Sequence, residues 1–372
     1  MVITSVTITH LRSHGQTTID CAPDVTILHG PNGSGKTSVL EAISLCSMGR
    51  TFVPVPDYSL IQRGADHAIA AVTARTDNDV PYRVAVEVRQ GMRKRIHTTH
   101  ASSASVRELI GELPSVALSP DHKMVTLGGP SERRAFVDAV MAQTSRVITD
   151  VLYEHRRLLK QRNAVLGDDA QASRETLRTW TPPYIQASAD VVRRRARFIE
   201  ALVPLVQEEY QAVAGERESI TITYKPDHLL MDGSDLEAQL QAVADRLEQA
   251  EWARGTTLFG PHKDEIELLI NGRLVRETAS QGQHKSLLVA LKIAECRLLE
   301  QLRRERPIVL LDDVFAELDR TRSSRVLDRI RDLKMQCLIT TTEEDRFQWV
   351  ADAPGCAMVQ VERGTVVRQE AA

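Results

Sequence analysis

A glycine-rich segment near the start of the chain has the residue types and the spacing of a phosphate-binding loop. It satisfies the pattern G-x-x-x-x-G-K-[ST] and lies between an apolar strand-like segment, residues 25–28, and a helix-forming stretch. Glycine has no Cβ, so backbone N–H groups can turn toward phosphate oxygens, and the start of the helix adds its positive dipole end. We predict that Lys36 reaches the β- and γ-phosphates and that the Thr37 hydroxyl binds Mg²⁺. The predicted loop consists of Gly30, Pro31, Asn32, Gly33, Ser34, Gly35, Lys36 and Thr37.

Two consecutive carboxylates follow an apolar run late in the chain. Residues 308–311 read Ile-Val-Leu-Leu, which is typical of a strand buried on both faces, and Asp312 and Asp313 come directly after it. Ligands bind at the carboxyl ends of strands in open parallel sheets. We predict that Asp312 completes the Mg²⁺ site and that Asp313 polarises the attacking water. Taken alone, the pair is more typical of a helix N-cap or turn, but the glycine loop favours the functional interpretation.

A third segment, Ser280-Gln281-Gly282-Gln283, stands before a predicted helix at residues 284–304. A small hydroxyl, a flexible glycine and free helix-start amides are typical of an anion site. One nucleotide does not need two such sites in one chain. The alternative is an ordinary serine N-cap followed by a glycine turn.

The elements around these motifs predict an α/β fold with a helical insertion. Strand patterns dominate the first part of the chain, long charged helix-forming stretches begin at about residue 131, and the α/β pattern returns after residue 261. We predict a mixed sheet with helices in one domain, residues 1–120 plus 255–372, and a mainly helical lobe at 121–254. The prolines at 182, 183 and 204 are expected to break or begin helices. The helix at 284–304 carries an apolar stripe that should face the core, formed by Leu287, Leu291, Ala294, Leu298 and Leu302.

Composition restricts the class of protein. The 372 residues include 47 Lys and Arg against 50 Asp and Glu, a net charge of −3, so no global positive field attracts nucleic acid. The five cysteines show no paired spacing, which fits a reducing compartment and no zinc site. The chain shows neither a signal-peptide pattern nor an apolar run long enough to span a bilayer. We expect a cytoplasmic protein with no membrane association.

Local basic clusters are the candidate contacts for DNA. Basic clusters occur at residues 93–95, 133–134, 156–162 and 193–197, and the candidate DNA contacts are Arg133, Arg134, Arg156 and Arg157. Phosphate backbones could bind them with an affinity that depends on salt. The alternative is a solvated helix face balanced by nearby acids. Aromatic residues make up only 4% of the chain, too few to predict a stacking platform for single strands, so backbone contacts to duplex DNA are the expected mode.

Together the motifs resemble those of the ATP-binding-cassette (ABC) heads of the SMC-like group and, more narrowly, those of the RecF family of bacterial DNA gap-repair ATPases. The resemblance is collinear over nearly the whole chain, and its Gly-Pro-His and Ser-Gln-Gly-Gln blocks are the most specific parts. Besides the segments above, it is carried by residues 40–43, 119–121, 129–138, 160–166, 258–264 and 310–319.

The resemblance implies an ABC-type ATPase head, a P-loop NTPase, that binds ATP and Mg²⁺ and dimerises on ATP. In such a dimer Ser280 of one subunit caps the γ-phosphate held by the glycine loop of the other, and Asp319 lies in a dimer-contacting loop. Transporter-type cassettes carry Glu where Asp313 stands and His where the threonines at 340–342 stand. Slow hydrolysis is therefore expected, because the shorter carboxylate holds water farther away and threonine cannot take a proton as imidazole can.

By resemblance, the protein is expected to bind duplex, gapped or junction DNA as an ATP-dependent homodimer. It is further expected to help load RecA together with RecO and RecR in recombinational gap repair, replication and SOS induction. Two alternatives stay open. One is another ABC/SMC-like ATPase that acts as a nucleotide-switched DNA clamp with incidental hydrolysis. The other is a transporter or small-molecule P-loop enzyme.

Overall fold

The structure, a computed structural model, describes residues 1–53, 55–167, 174–215, 218–317, 320–347, 350 and 353–371. Within these ranges the strands are β1 (Val2–Leu11), β2 (His14–Asp20), β3 (Val25–His29), β4 (His67–Arg75), β5 (Pro81–Arg89), β6 (Arg95–Thr98), β7 (Ser115–Leu118), β8 (Ile220–Lys225), β9 (Glu265–Ile270), β10 (Arg273–Leu274), β11 (Ile308–Asp312), β12 (Cys337–Thr341), β13 (Cys356–Glu362) and β14 (Thr365–Ala371). The α-helices are α1 (Lys36–Met48), α2 (Val106–Leu109), α3 (Met124–Leu127), α4 (Pro130–Thr144), α5 (Arg146–Leu166), α6 (Arg174–Ala214), α7 (Leu236–Arg254), α8 (Val275–Thr278), α9 (Gln281–Arg303) and α10 (Arg320–Leu333).

The chain forms two compact units. The first contains Met1–His122, Ala212–Ala214 and Lys285–Ala372, and the second contains Lys123–Gln211 and Gly215–His284. The second unit extends past residue 254, where the sequence places the end of the inserted lobe. The physical reason is strand pairing, because β9 pairs along its whole length with β8.

A six-stranded sheet forms the centre of the first unit, in the order β14-β13-β3-β12-β11-β7. All neighbouring pairs are parallel except the edge pair β13 and β14. Every residue of β11 and β12 is buried, as expected for strands covered on both faces. The α/β fold with a mixed sheet that was predicted from the sequence is confirmed.

An antiparallel sheet completes the first unit, in the order β2-β1-β4-β5-β6. Buried and more exposed residues alternate along β4, so this sheet buries one face. Helix α1 contributes Val39, Leu40 and Ile43 to an apolar core shared with both sheets. The helix that follows the glycine loop is therefore fixed by packing at its apolar positions.

The second unit is mainly helical and has a small antiparallel sheet in the order β10-β9-β8. Its core includes Tyr184 and Val192 of α6, Leu240 of α7, and Phe259. These side chains bring α6, α7 and the 255–264 segment together within the unit.

The prolines do not interrupt α6, so their interpretation as helix breaks or starts is wrong. The helix continues through Pro182, Pro183 and Pro204. Each proline removes one helical hydrogen bond. Buried residues before and after the prolines, including Leu177 and Tyr184, hold the helix by tertiary packing, which overrides local preference.

The predicted apolar stripe of α9 is confirmed at four of its five positions. Leu287, Leu291, Ala294 and Leu298 are at most 2% exposed, whereas Leu302 is 53% exposed. Leu302 lies in the last turn of α9, where the chain leaves the helix on its way to β11. The prediction that it faces the core is wrong for that reason.

Among the residues that the structure describes, no helix combines the length and the apolar character required to cross a membrane.

His155 of α5 makes the stability of the second unit sensitive to acid. Its side chain is buried against the Tyr184 ring, with the ring centroids 5.5 Å apart. Burial lowers the pKa of His155 to about 3, and the charges of Arg195 and Arg156 act in the same direction. Because the folded state favours the neutral ring, the stabilisation is present above the ordinary histidine pKa and is lost as the pH falls below it.

We expect the free energy of unfolding to fall between pH 7 and pH 5, with about 2 kcal/mol of the loss due to His155. His155→Phe keeps an aromatic ring on Tyr184 and removes the titrating group. Urea unfolding followed by tryptophan fluorescence at the two pH values should show a flatter pH dependence in the variant. The same pH dependence in both proteins would contradict this account.

Candidate functional site

The glycine loop joins the carboxyl end of β3 to the start of α1. Gly35 is the N-cap of α1 and has φ +110°, and a Cβ on it would lie 2.5 Å from His14 Nε2. Gly30 has φ +143°, and a Cβ there would lie 2.2 Å from the Val361 carbonyl oxygen. At both positions the backbone conformation and the available space require glycine.

Lys36 lies over the loop that precedes it. Its Nζ donates hydrogen bonds to the carbonyl oxygens of Gly30 and Pro31, both at 2.9 Å. Burial lowers the pKa of Lys36, while the carboxylates of Asp313 and Asp312 act in the opposite direction. These contacts place a single ammonium group between the loop backbone and the acidic strand end.

Asp312 is the point where the loop and the sheet meet. The Thr37 hydroxyl and the Thr340 hydroxyl both donate to Asp312 Oδ1 at 2.8 Å. The alignment follows from strand register, because Asp312 of β11 pairs with Thr340 of β12. Burial raises the pKa of Asp312, and the hydrogen bonds from Thr37 and Thr340 oppose the increase.

Asp313 leaves the sheet in a left-handed backbone conformation. Its φ is +50°, in the left-handed region, and its backbone N–H donates to Thr340 Oγ1 at 3.0 Å. Non-glycine residues rarely adopt this conformation, although aspartate tolerates it better than most. The Thr340 hydroxyl therefore accepts from Asp313 while it donates to Asp312.

Lys36, Thr37, Asp313 and Thr340 line one pocket of about 240 Å³ in the first unit. The pocket combines the loop, the start of α1 and the ends of β11 and β12. Its lining consists of Arg12, Ser13, Asn32, Gly33, Gly35, Lys36, Thr37, Ser38, Asp313, Thr340 and Thr342.

Arg12 is a pocket residue that the sequence analysis missed. Its guanidinium donates to both carboxylate oxygens of Glu41, at 3.1 and 2.8 Å, and to the Ser59 carbonyl oxygen at 3.1 Å. Arg12 belongs to no recognisable motif, and Glu41 is 29 positions away in the chain. Tertiary structure alone brings this cation to the glycine loop.

His14 is a second residue that the sequence analysis missed. Its side chain is fully buried, with Nε2 3.0 Å from the Gly35 carbonyl oxygen and Nδ1 3.0 Å from Thr17 Oγ1. Thr17 in turn donates to the Gly364 carbonyl oxygen at 2.7 Å. The chain links the end of the glycine loop to the turn between β13 and β14. Burial lowers the pKa of His14, although its backbone contacts oppose the change.

The Ser280–Gln283 segment lies in the second unit and starts α9. The Ser280 backbone N–H donates to Gln283 Oε1 at 2.8 Å, and the Gln283 backbone N–H donates to Ser280 Oγ at 3.2 Å. This reciprocal pair is a capping box. Ser280 is exposed, and because its Oγ accepts from Gln283, its own O–H remains a donor.

The structure thus brings together Lys36, Thr37, Asp312 and Asp313 of the predicted site. Asp319, predicted to lie in a dimer-contacting loop, falls outside the described residues.

The predicted DNA-contacting arginines differ strongly in environment. Arg133 is 5% exposed and donates to Glu265 at 2.9 Å and to the Gly128 carbonyl oxygen at 2.8 Å, so its charge is already paired. Arg157 forms a bidentate pair with Glu154.

Among the described residues Arg134 forms no ion pair, and Arg156 forms only a long one. Arg134 donates to the Asp264 carbonyl oxygen. The Arg156 side chain is 63% exposed, with its Nη2 3.9 Å from Asp138, at the outer limit of an ion pair.

A central parallel sheet, a glycine loop at the carboxyl end of β3 and an acidic end on β11 define a P-loop NTPase head of the ABC type. The model of the RecF/RecN/SMC N terminal domain matches residues 2–365. The chain is 34% identical over 365 residues to the DNA replication and repair protein RecF of Synechococcus sp. (strain JA-3-3Ab), covering 96% of this chain and 95% of the relative. It is 33% identical over 372 residues to the protein of the same name from Geobacter metallireducens, covering 98% and 99%. The chain belongs to the RecF family.

Solved structures show the same fold. A structure of the recombination mediator protein RecF with ATP, described as part of the RecFOR pathway, has a TM-score of 0.90 at 23% identity and covers 100% of this chain and 98% of that chain. The Smc head domain from Pyrococcus furiosus has a TM-score of 0.57 at 15% identity, covering 98% of this chain and 95% of that chain.

The two loop glycines Gly30 and Gly33 allow a matched test of the packing around the phosphate loop. Both have positive φ, but a Cβ on Gly33 would meet nothing within 4 Å, whereas one on Gly30 would collide with the Val361 carbonyl oxygen. Gly33→Ala should lower the free energy of unfolding by about 1–2 kcal/mol through backbone strain alone. Gly30→Ala should lower it by a further ~1–3 kcal/mol because of the collision. Chemical denaturation of both variants checks this, and equal losses would contradict the observed contact.

Proposed function

We propose that this protein is an ATP-dependent DNA-binding protein of recombinational gap repair, replication and SOS induction. In this proposal it binds ATP with Mg²⁺, dimerises on ATP, binds DNA and hydrolyses ATP slowly. The supporting comparisons are the curated relatives named as DNA replication and repair proteins and the match to the family model. The observation that carries the proposal is the contact between Thr37 of the glycine loop and Asp312 of β11.

The Thr37–Asp312 contact supports a Mg²⁺ ion bound together with phosphate. The two oxygen atoms lie 2.8 Å apart, and Thr37 lines the same pocket as Lys36. Mg²⁺ prefers oxygen ligands and takes one or two protein ligands, completing its shell with water and phosphates. The donor set fits the ion, and we propose that Thr37 and Asp312 hold it. A bound Mg²⁺ would neutralise charge on the β- and γ-phosphates.

Asp313 and Thr340 support slow turnover. Asp313 lines the pocket, where its carboxylate can orient and polarise a water molecule. The Thr340 hydroxyl is engaged with Asp312 and with the Asp313 N–H, and a threonine cannot accept a proton near neutral pH. We propose that ATP binding drives the function and that hydrolysis resets it.

We propose that Ser280 acts on the nucleotide of a second subunit. The pocket is lined by residues of the first unit, and the exposed capping-box serine belongs to the second unit. A hydroxyl that can still donate, at the positive dipole end of α9, is suited to a γ-phosphate. Dimerisation then depends on ATP, because the triphosphate joins the loop of one subunit to the serine of the other.

Two substitutions separate ATP binding from dimerisation. Lys36→Met should abolish ATP binding, because the ammonium group that contacts the phosphates is lost. Ser280→Arg should leave ATP binding by the monomer intact and block dimerisation, because the larger side chain fills the space for the γ-phosphate of the partner. Fluorescent-nucleotide titration measures binding, and light scattering with and without ATP measures dimerisation.

A matched control is Thr221→Arg, which adds the same side chain at an exposed position of β8 in the same unit. It should dimerise like the parent protein. ATP-dependent dimerisation that is unchanged in Ser280→Arg would defeat the shared site.

For DNA we propose a cationic patch in the second unit, formed by Arg134, Arg156 and Lys263. Lys263 is exposed, and it has no ion pair among the described residues. Burial lowers the pKa of the neighbouring His262 to about 4, and the charges of Lys263 and Arg134 act in the same direction.

Asp138, the carboxylate beside Arg156, already accepts two hydrogen bonds from Arg195, at 2.9 and 3.0 Å. The charge of Arg156 is therefore only weakly balanced. We propose that the patch contacts duplex, gapped or junction DNA through its phosphates.

Removing two cations of the patch should weaken DNA binding in a salt-dependent way. For the double variant Arg156→Ala/Lys263→Ala we expect about tenfold weaker binding, with the slope of log affinity against log salt reduced by about 2. Fluorescence anisotropy with gapped DNA in the presence of ATP, at several salt concentrations, measures both.

Arg157→Ala is the matched control, because Arg157 is adjacent on α5 and already paired with Glu154. It should change the affinity by less than about twofold. A salt slope that the double variant leaves unchanged would remove this patch from the proposal.

Family membership supports a proposal about the partners of this protein. A solved structure with the same fold is described as RecF of the RecFOR pathway. We propose that this protein acts with RecO and RecR and, through them, promotes loading of RecA at gaps.

A further inference from the structure

The start of α9 is held by more contacts than a capping box requires. In the capping box, Gln283 uses its Oε1 to accept from the Ser280 backbone N–H at 2.8 Å. Its Nε2 is not needed for the cap, and here it donates to Glu218 Oε1 at 3.0 Å. Both ends of the Gln283 amide are thereby fixed.

Glu218 is itself held from a buried helix position. The fully buried Tyr210 of α6 donates its hydroxyl to Glu218 Oε2 at 2.5 Å. A hydroxyl bound to a carboxylate is among the shorter and stronger hydrogen bonds. The four residues form one chain, Tyr210–Glu218–Gln283–Ser280, and all of them belong to the second unit.

We infer that Glu218 and Gln283 are positioning residues that fix the Ser280 hydroxyl for the γ-phosphate of a partner subunit. The inference deepens the proposed function and rests on it. Ser280 is exposed, and a serine hydroxyl rotates freely unless its surroundings are fixed. A preorganised donor stabilises an incoming anion more than a mobile one, because no ordering is needed on binding.

An electrostatic role for Glu218 makes the opposite prediction. A carboxylate near an anion site would repel phosphate if its charge were felt there. Removal of the charge would then strengthen dimerisation. The positioning role instead requires an acceptor at position 218, whether charged or neutral.

The test is a polarity swap across the 218–283 hydrogen bond. Gln283→Glu keeps the capping box, because glutamate accepts equally well from the Ser280 N–H, but it places a carboxylate against Glu218. We expect about tenfold weaker ATP-dependent dimerisation, with ATP binding by the monomer unchanged. Glu218→Ala, which removes the acceptor, should have a similar effect.

Glu218→Gln alone should stay within about twofold of the parent protein, because its amide oxygen still accepts from Gln283. In the double variant Glu218→Gln/Gln283→Glu, the amide at position 218 donates to the carboxylate at position 283. The hydrogen bond is restored with its direction reversed, and most of the dimerisation should be recovered. Sizing by light scattering across ATP concentrations, with nucleotide titration of the monomer and thermal unfolding alongside, supplies the readouts.

Three outcomes would overturn the inference. They are failure of the double variant to recover, stronger dimerisation in Glu218→Ala, and a loss of thermal stability in Gln283→Glu that accounts for the effect. If the proposed function itself were wrong, the unmodified protein would not dimerise with ATP. That result differs from all three outcomes above, which concern the variants.

Discussion

The site depends on the parallel register of β3, β12 and β11. In this register Asp312 stands beside Thr340, and Thr340 stands beside Leu28, shortly before the glycine loop begins. Side chains alternate between the two faces of a strand, so a slip of one residue would turn Asp312 away from the loop. The contact between Thr37 and Asp312 therefore depends on pairing between strands that are far apart in the chain.

The cost of burying Asp312 is reduced because the hydroxyls of Thr37 and Thr340 donate hydrogen bonds to its carboxylate. Asp312 is 8% exposed, and burial opposes its charged form. Two hydroxyl donors and the nearby Lys36 favour the carboxylate, which balances part of the cost of removing it from water. A buried, charged oxygen ligand beside a lysine and a glycine loop is an arrangement suited to a cation and a phosphate.

The second unit uses buried charges in another way. Arg195 of α6 contacts Asp138 of α4 at 2.9 Å and Asp264 of the segment before β9 at 3.0 Å. In the same unit, Arg162 forms a bidentate pair with Glu251 and lies 5.0 Å from the centre of the Phe259 ring. Loss of one partner from a buried ion pair costs about 3–5 kcal/mol, because the remaining charge is left unpaired. Through Arg195 the block at 129–138 meets the block at 258–264, and Arg162 of the block at 160–166 lies against Phe259 of the block at 258–264.

The local part of the phosphate site could be derived from the sequence alone. A strand, a glycine loop and a helix follow one another without interruption, and the conformational freedom of Gly30 and Gly35 is a property of the residues themselves. The apolar run before Asp312 likewise predicted a buried strand with a carboxylate at its end. Short-range chemistry is sufficient for these inferences.

Long-range packing decided the rest. Arg12 and His14 reach the loop only because the strands pair, and no local pattern marks them. Prolines ordinarily interrupt helices, but tertiary packing keeps α6 continuous. Leu302 lies outside the core because it is in the last turn of α9. In the sequence, Arg133 and Arg156 look the same, because each is part of an Arg-Arg pair in a predicted helix. Only the fold places one beside Glu265 and leaves the other largely exposed, because ion pairing depends on distances between residues that the sequence does not contain.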